Sequence, residues 1–158
     1  MFRFSFPWRA KTYFGAAMCT ILVLTLIGDR VLNGSRGEHI HQQLIAEFHS
    51  LGQMPDSTLR DSFDSFSVWN PHKALVGAKY ISAADYKSIQ EFYDRELATR
   101  GWKSAGTQYP KLWGRDYGGK EVDYCKGPLS ASLEFPGQKP GYHYTYSINF
   151  SWGLRTCE

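Results

Sequence analysis

The segment from Ser82 to Trp102, SAADYKSIQEFYDRELATRGW, decides the predicted fold because a helix start, an amphipathic body and a helix stop occur in register. Ser82 supplies a capping hydroxyl, and Asp85 supplies a carboxylate near the positive end of the helix. Gly101 closes the helix, so that Trp102 folds back on it. The apolar face, spaced by three or four residues, consists of Tyr86, Ile89, Tyr93 and Leu97, with Phe92 beside it. This single apolar face implies that the helix covers a sheet.

The same segment carries a resemblance. The residues concerned are Tyr86, Ile89, Phe92, Tyr93, Asp94, Leu97, Gly101 and Trp102, preceded by residues 78–82, AKYIS. They are similar to the Y-x-S…I-x-x-F-Y-x-x-x-L-x-x-x-G-W core of uncharacterised small bacterial domains, which are often secreted or membrane-anchored. The resemblance implies a compact α+β fold on the outside of a cell membrane. It brings no known activity and no functional residue with it.

The net charge of the chain divides between its two parts. Residues 1–37 contain five basic residues against one acidic residue, which gives +4, whereas residues 38–158 contain 13 basic and 14 acidic residues, which gives −1. Nucleic-acid binding draws most of its affinity from basic side chains on the binding domain itself. The near-neutral C-terminal part therefore argues against a nucleic-acid partner.

The run from Thr12 to Gly28, TYFGAAMCTILVLTLIG, contains no charged residue. With Val31 and Leu32 added, a helix of this length spans a hydrocarbon core of about 30 Å. Because Arg3, Arg9 and Lys11 precede the run, the positive-inside rule places the N-terminus in the cytoplasm. We predict a cytoplasmic tail (1–11), a transmembrane signal anchor (12–32) in a bacterial inner membrane, and a periplasmic remainder.

A cleaved signal peptide is the alternative, since it has the same basic and apolar regions. Residues 27–32, IGDRVL, offer no small-x-small cleavage site after the apolar run. Cys19 is also poorly placed for lipidation, because Met18 precedes it and most of the apolar run follows it. These observations favour an uncleaved anchor.

A membrane-proximal helix is predicted over residues 33–52. Asn33 and Gly34 are expected to break the span, and Ser35 with Glu38 forms a capping box. The apolar stripe of this helix consists of Ile40, Leu44, Ile45, Phe48 and Leu51. The stripe has three alternative neighbours, namely the domain itself, lipid headgroups or a partner's helix. Ile40, Leu44 and Phe48 are therefore candidate partner contacts.

Residues 53–158 are predicted to form an extracytoplasmic α+β domain. Residues 54–70 show competing helical and strand patterns, and we expect a loop or short helix followed by a short strand. Residues 73–82 form a strand that leads directly into the helix. After Trp102 the apolar pattern changes to period two.

Four further strands are predicted from that alternation. Residues 111–117 and 120–126 flank Gly118-Gly119 as a hairpin, which sets Trp113 opposite Tyr124 and Asp116 opposite Glu121. Residues 129–135 and 142–152 are the last two strands. The predicted architecture is a β-α-β-β-β domain with one helix packed on an antiparallel sheet.

Cysteine positions predict one disulfide. Cys125 ends one strand, and Cys157 follows the last strand after the intervening strand has run the opposite way. Both cysteines are thus expected at the same end of the sheet, where an oxidising compartment would join them. Two separate thiols, buried or free, are the alternative.

The sequence contains no recognisable catalytic or metal-binding motif. His39 and His41 are two apart on a helix and point to different sides, and no H-E-x-x-H or C-x-x-C spacing occurs. No G-x-S-x-G elbow is present, and Gly118-Gly119 is too short to cradle a phosphate. We predict no catalytic residue, no cofactor and no metal site.

Aromatic residues outside the predicted core are the remaining candidates. Trp69, Tyr109 and Trp113 lie in or beside loops, where a flat ring with a polar tip suits a sugar or a partner's apolar anchor. The leading hypothesis is a non-catalytic accessory or interaction subunit of a membrane or envelope assembly, with a protein partner. A glycan- or small-ligand-binding module is the alternative, and an enzyme is the third hypothesis.

Overall fold

The computed structural model describes residues 8–67, 70–111, 113–154 and Cys157, with side chains from residue 17 onward. The elements are α1 (Trp8–Ser50), β1 (Ser57–Ser67), β2 (Asn70–Ser82), α2 (Tyr86–Thr99), β3 (Lys103–Gln108), β4 (Lys120–Lys126), β5 (Leu129–Phe135) and β6 (Tyr146–Trp152). The strands form one six-stranded sheet in the order β1-β2-β6-β5-β4-β3. Every neighbouring pair is antiparallel. The α+β class is confirmed, and the sheet has six strands where the predicted β-α-β-β-β architecture has four.

Helix α1 is one continuous helix of 43 residues, so the predicted break at Asn33 and Gly34 is wrong. A glycine inside a helix costs only about 1 kcal/mol relative to alanine, which the turns on both sides offset. The predicted membrane-proximal helix (33–52) is therefore the C-terminal part of α1. The N-terminal part, by its length and composition, makes α1 the one helix among the described residues that could cross a membrane.

The C-terminal part of α1 belongs to the core of the domain. Ile40 and Leu44 are buried, and Phe48 packs against the same core. At Gly37 the helix comes so close to β2 that an added Cβ would overlap the carbonyl of Pro71. Of the three alternatives for the apolar stripe, the structure shows packing on the protein's own sheet.

Strand β1 replaces the loop or short helix expected in the first half of residues 54–70. It pairs with β2 from Ser57↔Ser82 to Ser67↔Asn70, with irregularities at Leu59/Asp61 and Phe66/Ser67. Most of its side chains are exposed, because β1 is an edge strand. The predicted strand at 73–82 is confirmed within β2.

Helix α2 confirms the predicted amphipathic segment, with a change at its start. The cap is Asp85, whose carboxylate accepts from the amide of Ser88 at 2.7 Å, whereas Ser82 accepts from Ala84 in the preceding turn. At the other end the amide of Trp102 donates to the carbonyl of Leu97 at 3.1 Å, across Gly101 with φ +80°. This is the glycine-dependent helix stop that the sequence predicts.

The predicted hairpin around Gly118-Gly119 is wrong. Strand β4 pairs with β5 on one side and with β3 on the other, which places Ser104 opposite Tyr124 and Gln108 opposite Glu121. Of residues 111–117, those that the structure describes lie in the loop between β3 and β4. All six side chains of β3 are exposed, so no apolar alternation marks this strand in the sequence.

The last two hairpins follow the prediction more closely. Gly127-Pro128 turns β4 into β5, and β6 pairs with both β5 and β2. Strand β6 begins at Tyr146 instead of Tyr142. One face of the sheet carries the buried side chains that α1 and α2 cover, which include Val76, Ala78, Val122, Ala131, Leu133, Ile148 and Phe150.

The predicted disulfide is confirmed: Cys125 on β4 is bonded to Cys157. It attaches the segment after β6 to the second strand from the sheet edge. Together with the apolar part of α1, a disulfide indicates membrane anchoring or secretion.

Candidate functional site

One end of the sheet lies beside the apolar part of α1, and the other end lies far from it. At one end, where β2 begins, His72 Nε2 lies 3.4 Å from a carboxylate oxygen of Asp29 on α1. Neighbouring strands run in opposite directions across the sheet. As a result, β3 and β5 end, and β6 begins, at the end opposite to the start of β2. The loops 109–119 and 136–145 therefore lie at the end far from Asp29, which we call the distal end.

The two distal loops form one continuous surface. The amide of Gln138 donates to the carbonyl of Tyr117 at 2.9 Å. A side chain at Gly137, where φ is +62°, would overlap that carbonyl and the backbone of Gly118. Only glycine permits this approach, so the close contact between the loops is fixed by one residue.

Two of the candidate aromatic residues lie exposed at this end. Tyr109 is 64% exposed and Trp113 is 93% exposed. The backbone of Trp113 has φ +52°, a conformation that costs a bulky residue about 1 to 3 kcal/mol. No burial of the ring offsets that cost, which makes Trp113 a candidate for contact with another molecule. Trp69, the third candidate, lies outside the described residues.

The candidate partner contacts on α1 pack against the sheet, unlike the exposed aromatic residues of the distal loops. Ile40 and Leu44 have 9% and 0% of their surface exposed, and the ring of Phe48 lies 6.3 Å from that of Phe150 in an edge arrangement. These three residues pack on the protein's own sheet. Ile40 and Leu44 are buried there and Phe48 is half-buried, so a role of these residues as partner contacts stays a prediction.

The face of the sheet opposite to the helices is polar. Ser130, Ser132, Ser147 and Ser151 point to this face and are nearly buried between the larger side chains around them. Asn149 lies among them, and its side-chain oxygen is enclosed without a hydrogen-bond partner in the described part of the chain. We call this surface the open face, because α1 and α2 both pack on the other side.

A cavity of about 660 Å³ lies where the open face meets the distal loops. It is lined by Arg60, Asp61, Lys79 and Glu134 from the strands and by residues 141–144 from the loop before β6. Burial, and then the nearby carboxylate of Glu134, raises the pKa of Tyr144 well above the ordinary tyrosine value. The Tyr144 hydroxyl therefore stays protonated and can donate a hydrogen bond.

A second cavity of about 600 Å³ lies on the open face beside the disulfide. Its lining includes Gln108, Asp123, Ser130 and Cys157. Gln108 donates to Asp123 at 2.7 Å, so two of these polar groups already satisfy each other.

The buried polar contacts elsewhere connect the elements of the core. The hydroxyl of Tyr124 donates to Asp94 on α2 at 2.7 Å, and the indole of Trp102 donates to Glu47 on α1 at 3.2 Å. Tyr93 and Tyr146 share a hydrogen bond at 3.2 Å. Burial raises the pKa of Tyr93 and Tyr124 far above the ordinary value, so both remain neutral donors. These groups hold the helices on the sheet.

One histidine–carboxylate pair was not found from the sequence. His41 Nε2 lies 2.5 Å from Asp64, and its ring stacks on Phe66 at 4.9 Å. Only 8% of His41 is exposed, and Nδ1 has no hydrogen-bond partner among the described residues. The pair lies between α1 and β1 and faces neither cavity. The two residues are 23 apart in the chain, so no local motif could reveal them.

In the ranges that the structure describes, no group of three or more histidine, cysteine or acidic side chains is placed to hold a metal ion. Comparison of the chain with family models, with curated proteins and with solved structures gave no match. The resemblance of the α2 segment to small bacterial envelope domains therefore stays a prediction.

Proposed function

We propose that this protein is a single-pass membrane protein whose outward-facing domain is a non-catalytic accessory or interaction subunit of a membrane or envelope assembly. One observation carries the proposal: α1 extends without interruption from its apolar part into the domain core, while Trp113 stands exposed at the distal end. A helix shared by the anchor and the core fixes the distance of the distal loops from the membrane. Such a domain is suited to present those loops to a partner.

The proposed location is a bacterial inner membrane with the N-terminus in the cytoplasm and the domain in the periplasm. Arg3, Arg9 and Lys11 before the apolar run support this orientation. The Cys125–Cys157 disulfide supports an oxidising compartment for the domain. Both observations support a location of the domain on the periplasmic side of the membrane.

We include no catalytic step in the proposal. In the pair of His41 with Asp64, the histidine is buried between α1 and β1, while the Asp64 side chain is 51% exposed. A general base must reach the proton that it removes, and the His41 ring is stacked beneath Phe66 instead. The pair is better explained as a polar contact that orients α1 on the sheet.

Site-specific photo-crosslinking in living cells tests the proposed interaction. A photoreactive phenylalanine derivative replaces Trp113 or Tyr109, and the matched control replaces Lys103, which is exposed at the opposite end of β3. We expect both distal positions to cross-link to the same protein and the Lys103 position to give none. Equal cross-linking from all three positions, or none from the distal ones, contradicts the proposal.

A ligand-binding module is the second candidate, and the distal cavity favours it. Its volume of about 660 Å³ lies within the range of about 300 to 1,000 Å³ typical of small-molecule sites. Tyrosine rings and charged groups of both signs line it, which suits a polar ligand with an apolar face.

A further inference from the structure

The floor of the distal cavity consists of side chains from four neighbouring strands. Asp61 on β1 pairs with Lys79 on β2, Lys79 pairs with Ser147 on β6, and Ser147 pairs with Glu134 on β5. Paired residues point to the same side of a sheet, so these four side chains form one row across the open face. Residues 141–144 turn over the end of the row and form the wall. The cavity thus depends on four strands and one loop together.

Each charged residue on the floor has a polar partner within the protein. Lys79 Nζ lies 3.3 Å from Asp61 and within 6 Å of the ring centroids of Phe63 and Tyr144, at 5.5 Å and 5.7 Å. The hydroxyl of Ser147 donates to Glu134 at 3.4 Å. Asp61 thus has an ion-pair partner, whereas Glu134 has a neutral hydroxyl as its hydrogen-bond partner.

Arg60 is the cation of the cavity that is open to an anionic ligand. Arg60, at the irregularity between Leu59 and Asp61, has an exposed side chain and no ion-pair partner in the described part of the chain. A second cation stands at the rim, because Lys139 Nζ lies 4.1 Å from the ring centroid of Tyr142. An anionic group of the ligand is expected at this side of the cavity, where the arginine fork can hold a carboxylate by two parallel hydrogen bonds.

We propose that the distal cavity binds an acidic saccharide, with the sugar carboxylate on Arg60 and the sugar ring against Tyr142. Tyr142 is 38% exposed, and its ring lies 5.5 Å from that of Tyr144, so one tyrosine supports the other. The apolar face of a sugar packs on such a ring, while its hydroxyls donate to the free lone pairs of Asp61 and Glu134. The inference rests on the ligand-binding function, the second candidate above.

Simpler anions fit this arrangement less well. Inorganic phosphate has few hydroxyls to donate, so the carboxylates of Asp61 and Glu134 would face it with like charge. A cationic ligand would meet Arg60 with like charge, and at Asp61 it would have to displace Lys79. A ring that carries many hydroxyls and one carboxylate satisfies the acceptors and the cation at once.

Calorimetric titration of the full-length protein in lipid nanodiscs tests the proposal, since nanodiscs avoid detergents that themselves carry sugar headgroups. The probes are digalacturonate and the neutral disaccharide galactobiose. We expect saturable binding of digalacturonate that is at least about tenfold tighter than that of galactobiose, as for one charge-assisted contact. Arg60→Gln and Tyr142→Ala should each weaken digalacturonate binding by about tenfold or more.

An exposed lysine outside the cavity gives a matched control. Lys111→Gln removes a cation at the same end of the molecule, and this variant should bind as the parent does. Equal affinity for both disaccharides, or a loss in Lys111→Gln equal to that in Arg60→Gln, overturns the proposal. Binding that only Trp113→Ala abolishes would leave a ligand-binding function standing and would overturn its assignment to this cavity.

Discussion

Gly37 lies where α1 comes closest to the sheet. An added Cβ would overlap the carbonyl of Pro71 and would lie 3.2 Å from the ring of Phe66. The obstacle is backbone, which cannot rotate out of the way as a flexible side chain can. The small size of residue 37 is therefore a condition for the docking of α1 on β2.

Gly37→Ala should destabilise the domain by about 1 to 3 kcal/mol, the usual cost of adding a methyl group to a packed contact. Gly34→Ala is the matched control, because nothing lies within 4 Å of a Cβ at that position. That variant should be neutral or more stable by about 0.5 to 1 kcal/mol, from the better helix propensity of alanine. Thermal unfolding followed by near-ultraviolet circular dichroism measures both. Equal effects of the two substitutions would contradict the close contact.

Some contacts of single residues can be predicted from neighbouring sequence, and others cannot. The closure of α2 at Gly101 depends on neighbours within a few positions and is predicted from the sequence, whereas the cap is Asp85 instead of the predicted Ser82. The pairing of His41 with Asp64 depends on the docking of α1 against β1. No pattern within either segment contains that information.

At the scale of elements, β3 shows why one strand could not be predicted. It consists of KSAGTQ, has no exposed-to-buried alternation, and contains Gly106 with φ +126° at the irregularity in its pairing. The period-two pattern of apolar residues predicts a strand at residues 111–117 instead. An edge strand held by backbone hydrogen bonds needs no apolar face, so the alternation pointed to the wrong segment.

The disulfide is an element-scale constraint, because it attaches residues beyond β6 to β4. Its cysteines are 32 residues apart, and a loop of this length predicts a stabilisation of about 3 to 4 kcal/mol. Cys125→Ser should lower the free energy of unfolding by about 2 to 4 kcal/mol. Cys19→Ser is the matched control, since Cys19 is a free, exposed cysteine on α1.

Urea unfolding of the two variants, with and without reductant, measures this difference. Reductant should bring the parent protein to the stability of Cys125→Ser and leave that variant unchanged. A parent protein that keeps its stability under full reduction would show that the disulfide does not constrain the fold.

At the scale of the whole molecule, the domain does not begin where α1 was expected to end. Ile40 and Leu44 fill the core over β2, and Glu47 on α1 accepts hydrogen bonds from Trp102 and Lys126. Arg100, after α2, donates to the carbonyl of Ser50 at the end of α1. The boundary at residue 53 therefore divides a single packed unit.

Two shortened chains test this boundary. A chain that begins at residue 34 keeps the core part of α1 and should fold as a monomer with sharp thermal unfolding. A chain that begins at residue 53 loses the buried Leu44, whose removal to alanine alone typically costs about 2 to 5 kcal/mol. We expect that chain to show broad unfolding and to bind a hydrophobic dye. A stable, cooperatively folded 53–158 chain would contradict the assignment of α1 to the core.

The sequence by itself determined the α+β class, the apolar N-terminal run, helix α2 with its glycine stop, the alternating strands β5 and β6, and the disulfide. Each of these depends on periodicity or on residues whose backbone or thiol chemistry acts locally. Only the tertiary structure decided the continuity of α1, the strand order, and the gathering of Arg60, Lys79, Glu134 and Tyr142 around one cavity. Those features arise from contacts between segments far apart in the chain, where packing outweighs the small local preferences of single residues.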